Sequence, residues 1–271
     1  MEKYLSLLSH RKIDEAEIYR KDSIPSKLTK FFSLTDNIDT NEKKLETLKN
    51  EKLWFSAPKV LNDPYEFQCM YVNRKKLKEF DYPDYILNFF GILLNKQTEN
   101  TALVSLSGNS FNCLPMWAYY TNNYRGYCVE YDVTVPDMIF KVAYEPERIP
   151  VASIISNFFN GHLKIVKNER VHNKDIDFYT ILIRQQFFLK HKSWEHENEY
   201  RIILASNEAK GLSIDIAKIG LKTKRIVAGL KCPDEYKKRL NYISNKLGCG
   251  DISVSKISGN KYVLLEELDN L

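Results

Sequence analysis

The chain has 271 residues, 44% of them hydrophobic and 13% aromatic, enough for one large domain or two small ones. The 40 basic residues exceed the 35 acidic ones by +5, a mild balance that permits an anionic partner but lacks the sharp basic stripe of a dedicated nucleic-acid binder. No apolar run approaches the roughly twenty residues that span a bilayer, so we expect no membrane partner.

Five cysteines without CxxC spacing, and no secretory leader, point to unpaired thiols in a reducing, cytoplasmic setting. The histidines form no HxxxH or HExxH pattern, and no metal is expected.

In chain order, residues 1–27 are expected to form an N-terminal arm or helix. TKFFSL (Thr29–Leu34) reads as a short aromatic strand. Asp39 with Glu42 resembles a capping box ahead of a helix over Glu42–Asn50, with Leu45 and Leu48 at helical spacing. KLWFSA (Lys52–Ala57) is a second strand. The loop that follows is turn-rich, because Pro64 keeps Asp63 out of the helical region.

A helix is expected within 71–100, around YILNFFGILL. ALVSLS (Ala102–Ser107) alternates as a strand, Pro115 suits a first helical turn and Gly126 a helix stop. GYCVEYDV and MIFKVAY (Met138–Tyr144) read as two strands, a hairpin or bulged pair, before a long helical stretch over roughly 152–192. RIIL and KRIVAGL are late strands. CPDEYKKRLNYISNKLG is a helix with Tyr236, Leu240, Ile243 and Leu247 on one face and Gly248 as its stop. The whole predicts a single α+β domain over 28–271, with a mixed or largely antiparallel sheet and flanking helices.

The chemistry concentrates in three places. In KSWEHENEYRII, strand alternation puts Glu197, Glu199 and Arg201 on one face, either as a structural ion pair or as part of an active site. There Glu199 would stabilise developing positive charge and Arg201 would grip a phosphate. The Tyr200, Ile202, Ile203 and Leu204 run, apolar on both faces, predicts a central strand. Asn62, Asp63 and Glu66 sit on a loop after a strand, where sites or simple turns are both at home. Trp117 and Tyr120, three apart, share a helical face and would stack on a ring or anchor the core. Ser105 and Ser107 share a strand face. Cys113 and Cys128 have no histidine in a recognisable partner pattern, and no Walker loop or nucleophile elbow occurs.

Four motifs in order, FSAPKVLNDPYE (Phe55–Glu66), PMWAYYTNNYRGYCVEYD (Pro115–Asp132), KSWEHENEYRII (Lys192–Ile203) and KRIVAGL (Lys224–Leu230), resemble the bacterial family known as domain of unknown function 2971. That resemblance spans about 28–245 and implies no activity. A second resemblance lies beneath it. LTKFFSLTDNI, a helix, then KLWFSAP is similar to the opening of ADP-ribosyltransferase folds. There the first strand supplies a His or Arg that grips NAD, and a late strand supplies a catalytic Glu. Lys30 occupies the gripping position, a departure, and Glu199 with Glu197 the late one; Ser105 and Ser107 are similar to a strand element of some members.

This resemblance implies a toxin- or phage-defence-type enzyme cleaving the glycosidic bond of NAD or a nucleotide, with Lys30, Asn62, Asp63, Ser105, Trp117 and Tyr120 binding the ligand. Nucleic acid and a defence-system or antitoxin protein are the partners it suggests. The alternatives are a non-enzymatic module sensing nucleotide or nucleic acid, and a structural partner protein whose motifs only stabilise the fold.

Overall fold

A computed structural model describes residues 2–79, 98–167 and 173–256, together with 88 and 92. Two helices, α1 (Glu2–Ser9) and α2 (Ile13–Asp22), lead into β1 (Lys27–Phe32). They are not a loose arm. Arg20 of α2 is buried and donates to the carbonyls of Ile139 and Asp137 at 2.5 and 3.0 Å. Next come α3 (Ile38–Lys49), β2 (Lys52–Ser56), the short β3 (Met70–Tyr71) and α4 (Arg74–Lys78). The helix starts earlier than the expected capping box, with Asn37 as its cap and its side chain accepting from the Thr40 N–H at 2.9 Å. Most of the helix expected around YILNFFGILL lies outside the described residues.

The chain continues through β4 (Thr101–Ser107), α5 (Leu114–Tyr120), β5 (Tyr127–Val133), β6 (Phe140–Lys141), β7 (Ala143–Glu145) and β8 (Ile149–Pro150). Helices α6 (Ala152–Val166) and α7 (Asn173–Arg184) precede β9 (Leu189–His191) and β10 (Glu199–Ala205). The last elements are β11 (Gly211–Asp215), β12 (Leu221–Ala228), α8 (Asp234–Lys246) and β13 (Ser253–Val254).

Nine strands form one open, mostly antiparallel sheet in the order β11-β2-β4-β1-β5-β12-β13, with β10 on β4 and β6 on β10. Its branch point is β4. One edge of β4 pairs with β10 over its whole length, from Glu199↔Ser107 to Ala205↔Thr101. The other edge is shared, touching β1 only at Thr29↔Ser107 and β2 only at Ser56↔Leu103. Between those two points the Ser105 carbonyl accepts from the Lys30 ammonium at 3.0 Å. A lysine side chain thus bridges the split in the sheet.

Alternation along the strands gives the sheet two different faces. Leu28, Val104, Leu106, Val129, Tyr200 and Ile202 point into the main core, where α3 adds Leu45 and Leu48 and α8 adds Leu240 and Ile243. The opposite face is covered in two patches. Trp117 and Met116 of α5 pack on Phe31, Cys128 and Val227; farther along, Phe67, Phe187 and Phe188 pack on Leu103 and Ile203. Between these apolar patches the sheet presents Thr29, Ser105, Ser107 and Glu199.

Several sequence expectations need correction. MIFKVAY is broken at Val142, whose N–H donates to the Glu199 carbonyl at 2.9 Å. Its two halves pair with β10 and β9 and not with β5, so there is no hairpin. The α-helix ends at Arg184; Gln185–Phe188 continue as a buried 3-10 turn, and Leu189–His191 are β9 and not helix. Strand β10 is not central. Its outer edge is paired only at Tyr200 and Arg201, by β6, and its two apolar faces reflect the core on one side and the phenylalanine patch on the other. Helix α5 stops at Tyr120, not near Gly126. A Cβ on Gly126 would sit 1.9 Å from the Phe32 carbonyl oxygen, so that glycine serves the close approach of β1. Gly248 does end α8, with φ of +72° and the Cys249 N–H returning to the Ser244 carbonyl at 2.9 Å.

Candidate functional site

In the gap between the two apolar patches lies a cavity of about 150 Å³. Lys30, Ser105 and Ser107 form its floor. Asn62, Asp63 and Glu66 come from the loop after β2, Tyr120 from α5, and Lys190, Trp194, Glu197 and Glu199 from β9 to β10.

The two glutamates converge by a turn and not by alternation in one strand. Glu197 ends a short 3-10 turn over Lys192–Glu197, Asn198 is left-handed with φ of +44°, and Glu199 opens β10. Three bonds tie this turn to the end of β4. The Ser107 hydroxyl donates to the Glu197 carbonyl at 2.6 Å, the Gly108 N–H to the Asn198 carbonyl at 2.8 Å, and the Asn109 amide to the His196 carbonyl at 2.7 Å. Tyr144 contributes a fourth, its hydroxyl accepting from the Glu199 N–H at 2.8 Å.

Five acidic and basic side chains meet here. Arg201 donates to both oxygens of Glu199, Nε–Oε1 at 2.7 Å and Nη2–Oε2 at 2.9 Å. Its Nη2 also lies 2.7 Å from Glu66, and Nη1 donates to the Phe187 carbonyl at 2.7 Å. Lys190 reaches Glu197 at 2.7 Å, Glu199 at 3.2 Å and Glu66 at 4.0 Å. The Tyr120 hydroxyl donates to the remaining Glu197 oxygen. Three carboxyl groups therefore share two cations, with the Lys30 side chain lining the same cavity.

The charges respond to that environment. Burial opposes ionisation of Glu199, but Arg201 and Lys190 outweigh it and hold the carboxyl down at about 2. Burial raises the Glu66 carboxyl, against the pull of Arg201. Burial likewise opposes the charge on Lys190, yet Glu199, Glu197 and Glu66 together raise it. Lys30 moves the other way. Burial, reinforced by Lys44 and opposed by Glu199, brings its ammonium down to about 8. Burial and the Glu197 carboxylate push the Tyr120 phenol up, so at neutral pH it is a donor.

The cavity thus brings together Lys30, Asn62, Asp63, Ser105, Tyr120, Glu197 and Glu199. It leaves out two candidates. Arg201 is fully buried behind Glu199, its donors spent on Glu199, Glu66 and Phe187, so no phosphate can reach it. Trp117 is also fully buried, edge-on to Phe31 and donating to the Phe111 carbonyl at 2.6 Å. It anchors α5, and no ligand ring can stack on it. Asp63 also builds its turn, its carboxylate accepting from the Tyr65 N–H at 2.9 Å. Lys190 and Trp194 also line the cavity, which the sequence does not reveal. Lys190 was obscured because it fell within an expected helix, and Trp194 lies over its ammonium at 4.9 Å.

Among the described residues no group of three or more His, Cys, Asp or Glu is placed to hold a metal ion, and no helix is long and apolar enough to cross a membrane. Residues 116–202 match the family model described as Protein of unknown function (DUF2971), which supports the family resemblance read from the motifs. The matched stretch takes in Tyr120, Lys190, Glu197, Glu199 and Arg201, and leaves Lys30, Asp63, Glu66 and Ser105 outside it. No curated protein and no solved structure matches the chain.

Proposed function

We propose that the chain is a cytoplasmic toxin- or phage-defence-type enzyme, similar to ADP-ribosyltransferases, that cleaves the glycosidic bond of NAD or a related nucleotide. One observation carries this reading. Strands β1, β4 and β10 lie side by side and bring Lys30, Ser105, Ser107 and Glu199 to one cavity, so the first-strand and late-strand positions named by the resemblance meet in one place. Fold-level likeness is an analogy, so the chemistry must come from the residues.

In such a reaction the bond from the ribose C1′ to the base nitrogen breaks, and the base leaves with the electron pair. The positive charge left on the sugar needs a carboxylate that stays ionised, and Glu199 is held in that state by Arg201 and Lys190. Water or an acceptor hydroxyl then bonds to C1′ and gives up its proton. Glu197 and the Tyr120 hydroxyl would meet the ribose hydroxyls, Trp194 would flank the base, and Lys30 would hold a phosphate from the cavity floor. A cavity of about 150 Å³ falls below the roughly 300–1,000 Å³ of sites that enclose a whole ligand, so it suits only the reacting end of a dinucleotide.

The test is nicotinamide release from NAD by the purified chain, alone and with nucleic acid or cell lysate. Release above the blank supports the reading; none under any condition removes it. The small cavity, whose three glutamates are tied to Lys190 and Arg201, also favours the alternative of a sensing module, which would bind nucleotide without releasing base.

A further inference from the structure

On the other side of the chain from β1 to β2 lies a larger hollow that the reading above leaves unused. Its volume is about 580 Å³, and its walls are α3, the outer face of β2, Phe32 at the end of β1, and Ser213 of β11. The apolar surface comes from Phe32, Leu48 and Trp54. Trp54 is 46% exposed, although it sits mid-strand between the fully covered Leu53 and Phe55. A large aromatic ring held open on a rigid strand, at the wall of a hollow of ligand-enclosing size, is uncommon for surface chosen only for solubility.

The rim is cationic. Lys43, Lys44 and Lys52 line it, against the single carboxylate Glu46. Glu46 is already turned to Lys49 at 3.2 Å and to the Asn50 amide at 2.8 Å. Lys44 is fixed by the Ser33 carbonyl at 2.7 Å and hydroxyl at 2.9 Å. Lys52 has only a distant partner, Asp215 at 3.8 Å, whose other oxygen faces Lys218 at 3.1 Å.

We infer that this groove binds single-stranded nucleic acid, with a base stacked on Trp54 and the flanking phosphates on Lys43, Lys44 and Lys52. An open aromatic ring beside several fixed cations is how single strands are held without sequence readout: the ring takes the face of any base, and the lysines track the backbone. A duplex hides its base faces and offers the ring nothing. The groove and the cavity share β1, with Lys30 lining the cavity and Phe32 lining the groove two residues later. The inference does not depend on the cavity's chemistry.

The experiment is fluorescence anisotropy with 5′-fluorescein-labelled dT12, titrated with the full chain at several salt concentrations. We expect saturable binding that falls with salt at a log–log slope of about −2, as three neutralised phosphates on a single strand would give. Trp54→Ala should weaken binding by about tenfold to a hundredfold, the scale of one lost base–aromatic stack. The double variant Lys43→Glu/Lys52→Glu should flatten the salt slope and weaken binding further. All three positions are exposed, so circular dichroism and Tm should match wild type and keep the comparison one of binding.

Glu199→Gln, which alters the cavity and not the groove, should bind dT12 as wild type does. The same strand annealed to dA12 should bind more weakly. Absence of saturable binding at about 100 μM chain and low salt overturns the inference. So does Trp54→Ala binding at wild-type strength, or heparin displacing the probe from wild type and Trp54→Ala equally well, since either result reduces the groove to a patch of undirected charge.

Discussion

Glu199 and Arg201, two residues apart on β10, are joined through two parallel hydrogen bonds of 2.7 and 2.9 Å, both sides fully withdrawn from solvent. The pair divides two jobs. Glu199 faces the cavity, and Arg201 stands behind it, carrying the charge that keeps Glu199 ionised and tying it to Glu66 and the Phe187 carbonyl. The guanidinium is therefore a positioning group for the carboxylate.

Removing that support should be costly to the fold. Arg201→Ala leaves Glu199 and Glu66 buried without their shared cation, which typically costs about 3–5 kcal/mol. Urea unfolding should show this loss directly. A variant within about 1 kcal/mol of wild type would mean that water or Lys190 takes over, and that the network is looser than its geometry.

The same pair sets an acid limb. The Glu199 carboxyl is held near 2 in the folded chain and titrates near 4.3 when unfolded. The folded state therefore binds fewer protons between those values, and stability rises with pH across that window. The contribution is present above about 4.3 and is lost as pH falls toward 2. Glu66 has the opposite sign, because burial raises its carboxyl. The difference in unfolding free energy between wild type and Glu199→Gln should shrink steadily from pH 5 to pH 2.5; a difference independent of pH would show that Glu199 carries no such shift.

Lys30 supplies a second, separate titration. With its ammonium brought down to about 8, it is charged at pH 7 and neutral above pH 9. Affinity for a phosphate-bearing ligand in the cavity should fall as pH rises through 8. Lys30→Arg, charged throughout, should hold its affinity across the same range. NMR of dimethylated lysines offers a direct reading: one resonance with a midpoint near 8, absent from Lys30→Arg. If every lysine titrates above 10, the split in the sheet is wetter than its burial implies.

Gly126 tests the close packing that positions the site. Alanine there would place its Cβ 1.9 Å from the Phe32 carbonyl, and backbone cannot swing away as a side chain can. Overpacking usually costs about 1–3 kcal/mol, and this substitution should reach the upper end or prevent folding. Gly248→Ala has open space around it and should show only the smaller penalty of a left-handed φ. Equal melting temperatures for the two variants would contradict this assignment.

Much of this was legible from residue order alone, for reasons particular to each element. Aromatic-rich TKFFSL and KLWFSA, and alternation in ALVSLS and EYRIIL, mark four sheet strands, and the Tyr236, Leu240, Ile243 and Leu247 spacing marks α8. The site was readable as far as its acids and polar loop. The remainder depends on contacts distant in sequence. Lys190 lies in a run that read as helix, yet after the buried 3-10 turn of Gln185–Phe188 it stands on β9, within reach of the carboxylates. Nothing in LNDPYE says that Glu66 points inward while Asn62 stays exposed. Trp117 and Tyr120 share a helical spacing, yet one sinks between Phe31 and Tyr124 while the other reaches Glu197. Position β10 is a matter of sheet order, which two apolar faces on a strand do not reveal.

The most direct test of the cavity as a glycosidic-cleavage site is the rate of nicotinamide release from NAD by Glu199→Gln, measured beside wild type under identical conditions. The amide keeps the shape and one of the two bonds from Arg201, so the variant should fold with a Tm lowered by about 5–10 °C, while the charge opposite the sugar is gone. Loss of such a term costs on the order of a hundredfold to a thousandfold in rate. A drop of that size in a folded variant is the predicted result. Wild type that releases no nicotinamide, or Glu199→Gln that releases it at the wild-type rate, would contradict the account and leave the cluster as architecture.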